Sequence, residues 1–283
     1  DLTEEYLRKR EIEYVNFHYE LDGKEYPDDL GRSMPFAEFY RKMADGAMTK
    51  TSQVSAGEYE AYFERFLKKG RDIIHLTLSS GISGTINSAN VAKDILLEKY
   101  PERKIYVIDS LAASGGYGLL MDKIADRRDE GLSIDELAVW TEEHKLEVHH
   151  WFFTTDLTFF IRGGRVSKVS GYFGNLLNIC PLLNVDYQGK LIPRYKIRTK
   201  KKVIAETLER MKENAEDGLN YSQKVFINDS ACRRDSDELA ELIRQNFPYI
   251  DGDIFQNSIG TTIGAHTGPG TVALFFWGKK RID

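Results

Sequence analysis

Short apolar segments alternate with helix-like segments through the first half of this chain, and this alternation constrains the fold more than any other feature. The stretches 72–78, 104–108 and 148–154 are predicted to be strands. Apolar residues recur at helical spacing at 86–96 and from about 114 to 128. Strands that alternate with helices are typical of parallel pairing, with helices on both faces of the sheet. We therefore predict an α/β fold.

Local signals mark further elements along the chain. A strand is predicted over 12–21, and Ser55 and Ser133 each have a Glu three residues later, which is the spacing of a capping box at a helix start. In the second half, an apolar helix is predicted over 169–179 and a hairpin around YQGK at 187–190.

The character of the sequence changes near residue 159. We predict an N-terminal α/β domain over 1–158, with a mostly parallel sheet flanked by helices, and a C-terminal mixed α/β domain over 159–283. No low-complexity linker or internal repeat separates them.

Charge and cysteine content argue against several classes of protein. The net charge of −5 argues against nucleic acid as a partner, since phosphate binding needs a basic surface. The sequence contains no run of about 18 apolar residues, so no membrane span is predicted. Cys180 and Cys232 have no zinc-binding spacing and fit a reducing cytoplasm, and His149 and His150 lack a third ligand at a suitable spacing. We therefore expect no metal and no cofactor.

The loop SSGISGT at 79–85 follows one predicted strand and precedes a helix. Ligands of α/β sheets lie beyond the carboxyl ends of strands, where a helix N-terminus offers free N–H groups. With the hydroxyls of Ser83 and Thr85, the loop would suit a carboxylate or a phosphate. A simple N-cap role for Ser83 explains the same residues. The loop is not a Walker motif, because no Lys follows the glycines, and it is not G-x-S-x-G.

Four further stretches carry polar or glycine-rich patterns. TSQ at 51–53 precedes a capped helix and DS at 109–110 ends a strand, although turn and cap chemistry explains both as well. RGGR at 162–165 can clamp a carboxylate or dock an acidic surface, or it can end a helix. In IGAHTGPG at 263–270, the glycines bring backbone close to its neighbours around His266, whose role is functional or structural.

Taken together, these stretches resemble the DegV family, the fatty-acid-binding (FakB-type) subunits of bacterial fatty acid kinase. No single motif is decisive, but their number, order and spacing across nearly the whole chain make the resemblance specific. The matching segments are LDGKEY at 21–26, TSQ at 51–53, SSGISGT at 79–85, IDS at 108–110, RGGRVSK at 162–168 and IGAHTGPG at 263–270.

The resemblance implies a two-domain protein that encloses one long-chain fatty acid between its domains and has no turnover of its own. In the family, hydroxyls hold the carboxylate, and these fall on Thr51 and Ser83, with His266 close to the carboxylate through water. The loops that would support this head-group site contribute Ser52, Gly84, Thr85 and Thr267.

The resemblance also implies a partner, because a separate kinase subunit phosphorylates the bound acid to an acyl phosphate. Arg162 and Arg165 would lie near the surface that faces this kinase. The protein would act in the cytoplasm in bacterial phospholipid metabolism, and any contact with a membrane would be transient. Family members begin with a strand and an Asp-Ser-Thr/Cys motif. Since this sequence starts at Asp1, just past that point, we expect the strand to precede it.

Physical chemistry agrees with the expectation that the protein binds a fatty acid. An acyl chain gains about 0.8 kcal/mol per buried CH₂, whereas a buried carboxylate needs hydrogen-bond donors. Thr51 and Ser83 would supply neutral donors, which would leave one carboxylate oxygen free to meet a γ-phosphate.

Two other functions compete with lipid binding. A serine hydrolase or acyltransferase would use Ser83 as nucleophile and His266 as base, although the loop lacks a nucleophile elbow and no acid is evident that would orient His266. A sugar or nucleotide binder of the doubly wound type is the third class, because fold does not imply function.

Overall fold

The computed structural model describes residues 1–166 and 179–283, and this part of the chain forms ten α-helices and eleven strands. The helices are α1 (Glu4–Lys9), α2 (Phe36–Ala44), α3 (Ala56–Leu67), α4 (Thr85–Lys99), α5 (Ser114–Asp129), α6 (Ile134–His144), α7 (Thr158–Arg162), α8 (Lys200–Asn214), α9 (Arg233–Asn246) and α10 (Thr261–Thr267). The strands are β1 (His18–Leu21), β2 (Lys24–Pro27), β3 (Thr49–Ser52), β4 (Ile73–Thr77), β5 (Ile105–Asp109), β6 (Val148–Phe153), β7 (Ile179–Val185), β8 (Leu191–Arg198), β9 (Phe226–Asp229), β10 (Phe255–Ser258) and β11 (Val272–Trp277).

The described strands form three sheets, and the predicted α/β class is confirmed. β1 pairs antiparallel with β2 and with β3, and β4 pairs parallel with β5. The third sheet is mixed and has the order β10-β9-β11-β6-β7-β8. Within the first half, parallel pairing is found only at β4–β5 among the described strands, because β6 pairs antiparallel with β7 and β11 instead.

Many predicted elements are present, with small shifts at their ends. Both capping boxes are formed, at Ser55 and at Ser133, and the hairpin around 187–190 joins β7 to β8. The strand predicted over 12–21 is a strand only in its last four residues. The helix predicted over 169–179 lies outside the described residues except for Ile179, where β7 begins.

The six-stranded sheet forms the largest core. Every residue of β6 and β11 is buried, which requires cover on both faces of the sheet. The first turn of α5 lies so close to this sheet that a Cβ on Gly116 would overlap the His150 ring on β6, and one on Gly115 would come within 2.8 Å of Phe275 on β11. The glycine pair therefore permits the close approach of α5.

The small antiparallel sheet packs on α2 and α10. Tyr40 Oη donates to the carbonyl of Ile259 at 2.7 Å, and Thr49 Oγ1 donates to the carbonyl of Ala265 at 3.2 Å. The first bond joins α2 to the segment just before α10, and the second fixes β3, which carries Thr51, against α10.

The domain boundary between residues 158 and 159 stays a prediction. The sheet pairing bears on it in one respect, because β6 precedes the boundary and yet pairs with β7 and β11, which follow it.

A buried carboxylate joins α1 to α5. Asp122 is 1% exposed and accepts a hydrogen bond from Tyr6 Oη at 2.7 Å. It also forms ion pairs with Arg10 Nε at 2.8 Å and Lys224 Nζ at 2.7 Å. Its two oxygens therefore hold three donors from distant parts of the chain.

We expect the substitution Asp122→Ala to lower the free energy of unfolding by about 2 kcal/mol, because hydrogen bonds to charged groups are lost and two cations lose their partner. Asp129→Ala is the matched control, since its half-exposed carboxylate lies 3.6 Å from Arg10 Nη1 and should contribute little. Urea denaturation of both variants measures the difference. Equal losses would contradict the assigned role of Asp122.

Candidate ligand-binding site

A cavity with a volume of 410 Å³ lies between β3, the loop after β4, α10 and the six-stranded sheet, within the size range of small-molecule sites. Its polar lining includes Thr51, Ser83, Arg165 and His266. Apolar side chains that line it include Phe152, Phe160, Val185, Leu191, Ala273 and Phe275. The cavity therefore combines an apolar wall with a group of polar side chains from four separate segments.

Thr51 and His266, which are 215 positions apart in sequence, meet in this cavity. Thr51 Oγ1 lies 2.8 Å from His266 Nε2. Burial, with a smaller contribution from the charge of Arg165, lowers the pKa of His266 to about 4, so its ring is neutral at neutral pH. The backbone of Gly163 packs against the other ring nitrogen, because a Cβ there would overlap Nδ1.

The surroundings of His266 favour one tautomer. Its Nδ1 is buried and has no hydrogen-bond partner among the described residues, so a proton on Nδ1 would be a buried, unpaired donor. We therefore infer that Nε2 carries the proton and donates it to Thr51 Oγ1. The hydroxyl proton of Thr51 is then available to a ligand in the cavity.

Ser83 lines the cavity and is not the N-cap of α4. The cap position is Gly84, one residue later, and no side chain caps the helix there. Ser83 Oγ instead accepts the N–H of Thr85 at 3.3 Å, a local turn bond that leaves its hydroxyl proton free for a ligand.

Asp109 and Ser79 have structural roles that hold this loop in place. Asp109 Oδ1 accepts the N–H groups of Ser80 at 3.1 Å and Leu111 at 3.0 Å. Ser79 Oγ donates to the carbonyl of Gly189 at 2.8 Å, in the turn between β7 and β8. The two motifs after β4 and β5 thus orient the Ser83 loop.

The four residues predicted to support the head-group site fall into two groups. Ser52, Gly84 and Thr267 line the cavity. Thr85 is not part of the lining, because it is fully buried and its Oγ1 lies 2.9 Å from Tyr59 Oη.

The two arginines of the RGGR segment face different surroundings. Arg165 lines the cavity, donates from Nε to the carbonyl of Ile82 at 3.2 Å and from Nη1 to the carbonyl of Gly163 at 2.6 Å, and burial lowers its pKa. Arg162 is exposed, with its guanidinium 5.5 Å from the centre of the Phe159 ring. Arg165 forms no ion pair with an acidic residue in the described parts of the chain.

Sequence reasoning missed several lining residues, including Gln53, Ser114 and His150. The His150 ring donates from Nδ1 to the carbonyl of Val148 at 3.1 Å and accepts the N–H of Ala113 at 3.3 Å, and burial holds its pKa well below the usual range. The described residues contain no group of three or more His, Cys, Asp or Glu arranged to hold a metal. Because successive side chains of a strand point to opposite faces, only one of His149 and His150 could have been expected to face the cavity.

This fold and site define an α/β protein with a mostly apolar cavity into which a few polar side chains project. A family model described as the DegV family of uncharacterised proteins matches residues 1–279, and the chain belongs to the DegV family.

Three relatives are similar over nearly their whole length. A DegV domain-containing protein of Clostridium perfringens is 37% identical, covering 99% of this chain and 95% of the relative. The solved structure of a stearic acid-binding protein from Eubacterium ventriosum is 25% identical, with a TM-score of 0.88, covering 97% of this chain and 94% of that one. The fatty acid kinase B3 protein of Streptococcus pneumoniae, loaded with linoleic acid, is 25% identical, with a TM-score of 0.82 and coverage of 94% and 90%.

Within residues 1–166 and 179–283, no helix has the length and apolar character needed to cross a membrane.

The pKa of His266 predicts a pH dependence of stability. The folded-state pKa of about 4 lies below the ordinary histidine value of 6.5, so the unfolded chain takes up a proton between these values that the folded chain does not. Stability should therefore fall as the pH falls from about 6.5 to about 4. The substitution His266→Gln should flatten the plot of unfolding free energy against pH by up to about 1.4 kcal/mol per pH unit. An unchanged slope, measured by urea unfolding across this range, would rule out a neutral His266.

Proposed function

We propose that this protein binds one long-chain fatty acid in the 410 Å³ cavity and presents the carboxylate to a partner kinase for acyl-phosphate formation. The observation that carries the proposal is the convergence of Thr51, Ser83 and a neutral His266 on one mostly apolar cavity. The fatty acids bound to the relatives from Eubacterium ventriosum and Streptococcus pneumoniae support it.

The lining of the cavity matches both parts of a fatty acid. Each methylene that leaves water contributes about 0.8 kcal/mol, and the aromatic and aliphatic walls provide the surface. The carboxylate would accept hydrogen bonds from the hydroxyls of Thr51 and Ser83. The Ser83 oxygen already accepts the N–H of Thr85, and with the inferred tautomer of His266 the Thr51 oxygen accepts the proton of Nε2. The N-terminus of α4 adds a favourable dipole next to Ser83.

Arg165 supplies a positive charge without acting as a clamp. Two of its N–H groups are used by the carbonyls of Ile82 and Gly163, which fix the guanidinium at the cavity wall. Such an arrangement offsets the charge of a buried carboxylate and leaves the fork–fork pairing of an arginine clamp incomplete.

A hydrolase or acyltransferase is less well supported by the site. His266 Nε2 is bonded to Thr51, and its Nδ1 meets no orienting carboxylate among the described residues. A nucleophilic Ser83 would need one nitrogen of His266 to accept its proton and the other to contact an acid. We therefore assign Ser83 as a donor to the ligand and infer that the chain alone has no turnover.

The cavity draws its polar groups from both predicted domains. Thr51 and Ser83 come from 1–158, and Arg165 and His266 come from 159–283. This supports a ligand held between the two predicted domains. A cytoplasmic location is part of the same proposal.

The first test is the content of the purified protein. Organic extraction followed by mass spectrometry should recover one long-chain fatty acid per chain, or the emptied protein should bind added fatty acid stoichiometrically. Thr51→Val and Ser83→Ala should each weaken binding about tenfold, because each removes a hydrogen bond to a charged group. Ser80→Ala is the control from the same loop, since Ser80 does not line the cavity. A protein that neither carries nor takes up fatty acid would refute the proposal.

The second test concerns the partner kinase. Arg162 is exposed close to the site. Arg162→Glu should therefore slow acyl-phosphate formation by the partner kinase severalfold, while the affinity for fatty acid stays the same. Arg234→Glu makes the same charge change at an exposed position on α9 and should leave the transfer rate unchanged. Equal rates for the two variants would exclude Arg162 from the docking surface.

A further inference from the structure

The side chain of Gln53 crosses from the end of β3 to α4. Its Nε2 donates to Ser88 Oγ at 3.0 Å, in the first turns of the helix. On the way it lies directly over Gly84, where a Cβ would come within 2.9 Å of Gln53 Oε1. A larger residue at this position would force the end of the glutamine side chain to shift.

This contact joins the two segments that carry the hydroxyl donors. Thr51 lies two positions before Gln53 in a strand of the small antiparallel sheet. Ser83 lies in the loop that follows β4, a strand of a different sheet, directly before Gly84. Among the described residues, the bond from Gln53 to Ser88 is the one direct hydrogen bond between 49–53 and 79–88.

We propose that Gln53 is a positioning residue that sets the separation of the Thr51 and Ser83 hydroxyls, and so the affinity of the site for a carboxylate. The inference rests on the proposed function. An amide suits the role because it is uncharged and spans the gap with a donor and an acceptor, whereas a glutamate there would repel an anionic ligand.

A direct contact between Gln53 and the ligand is the competing explanation, because Gln53 also lines the cavity. Ser88 separates the two explanations, since it is the hydrogen-bond partner of Gln53 and is not part of the cavity lining. Loss of the Ser88 hydroxyl releases the glutamine without removing any group that a ligand could touch.

The experiment measures the affinity for palmitate of the wild type, Gln53→Ala, Ser88→Ala and the double variant. We expect each single variant to bind roughly threefold to tenfold more weakly, the range of one net hydrogen bond. The double variant should bind no more weakly than either single variant, because both remove the same link. Asn87→Ala is the matched control in the same turn of α4, at an exposed position outside the cavity lining, and should bind as the wild type does.

A second arm tests whether the effect acts through Ser83. In a Ser83→Ala background, Gln53→Ala should cause no further loss, since the hydroxyl that it positions is absent. A merely structural role would weaken binding equally in both backgrounds and would also lower the unfolding free energy of the ligand-free protein, which urea denaturation measures.

The outcomes separate this inference from the proposed function. Failure of the wild type to bind any fatty acid would refute the proposed function. If the wild type binds, then normal affinity of Gln53→Ala, normal affinity of Ser88→Ala, or additive losses in the double variant would each overturn the positioning role alone.

Discussion

The contact between Thr51 and His266 is the constraint on which the rest of the site depends. It joins the small antiparallel sheet to α10 across most of the sequence, and a neutral imidazole with its proton on Nε2 would leave the hydroxyl proton of Thr51 free for a ligand. Burial enforces that neutrality, and the nearby charge of Arg165 adds to it, by lowering the pKa of His266. The same low-dielectric surroundings that keep His266 neutral would make a hydrogen bond from Thr51 to a carboxylate strong.

Around this contact, buried polar groups hold the loops at fixed distances. Arg281 is buried near the end of the chain and donates to the carbonyls of Asp186 at 2.7 Å and Leu111 at 2.9 Å. Burial lowers its pKa to about 10, which still leaves it charged at neutral pH. With Asp109 and Ser79, it ties the loops after β4, β5 and β7 together. Polar residues that resemble site residues in sequence therefore serve as the frame for the few that face the cavity.

The parts of the fold that sequence predicted are those with strong local signals, such as the capping boxes at Ser55 and Ser133. The segments it missed are weak in isolation. β3 is the polar tetrapeptide TKTS, and α10 contains a glycine and three threonines, so both form because of their packing against each other. For the site, the motifs located Thr51, Ser83 and His266 but could not show which hydroxyl faces the cavity, because that depends on contacts between distant segments.

The residues of the RGGR segment at 162–165 have different surroundings and different proposed roles. The first of its two glycines packs on the His266 ring, the second arginine lines the cavity and the first arginine is exposed. If Arg165 paired with both carboxylate oxygens, the acid would be held tightly but neither oxygen would be free to attack a phosphate. Because backbone carbonyls occupy two of its N–H groups, Arg165 would compensate the charge of a carboxylate while the neutral hydroxyls would orient it. A site of this kind suits a ligand that must be bound firmly through its chain and still react at its head.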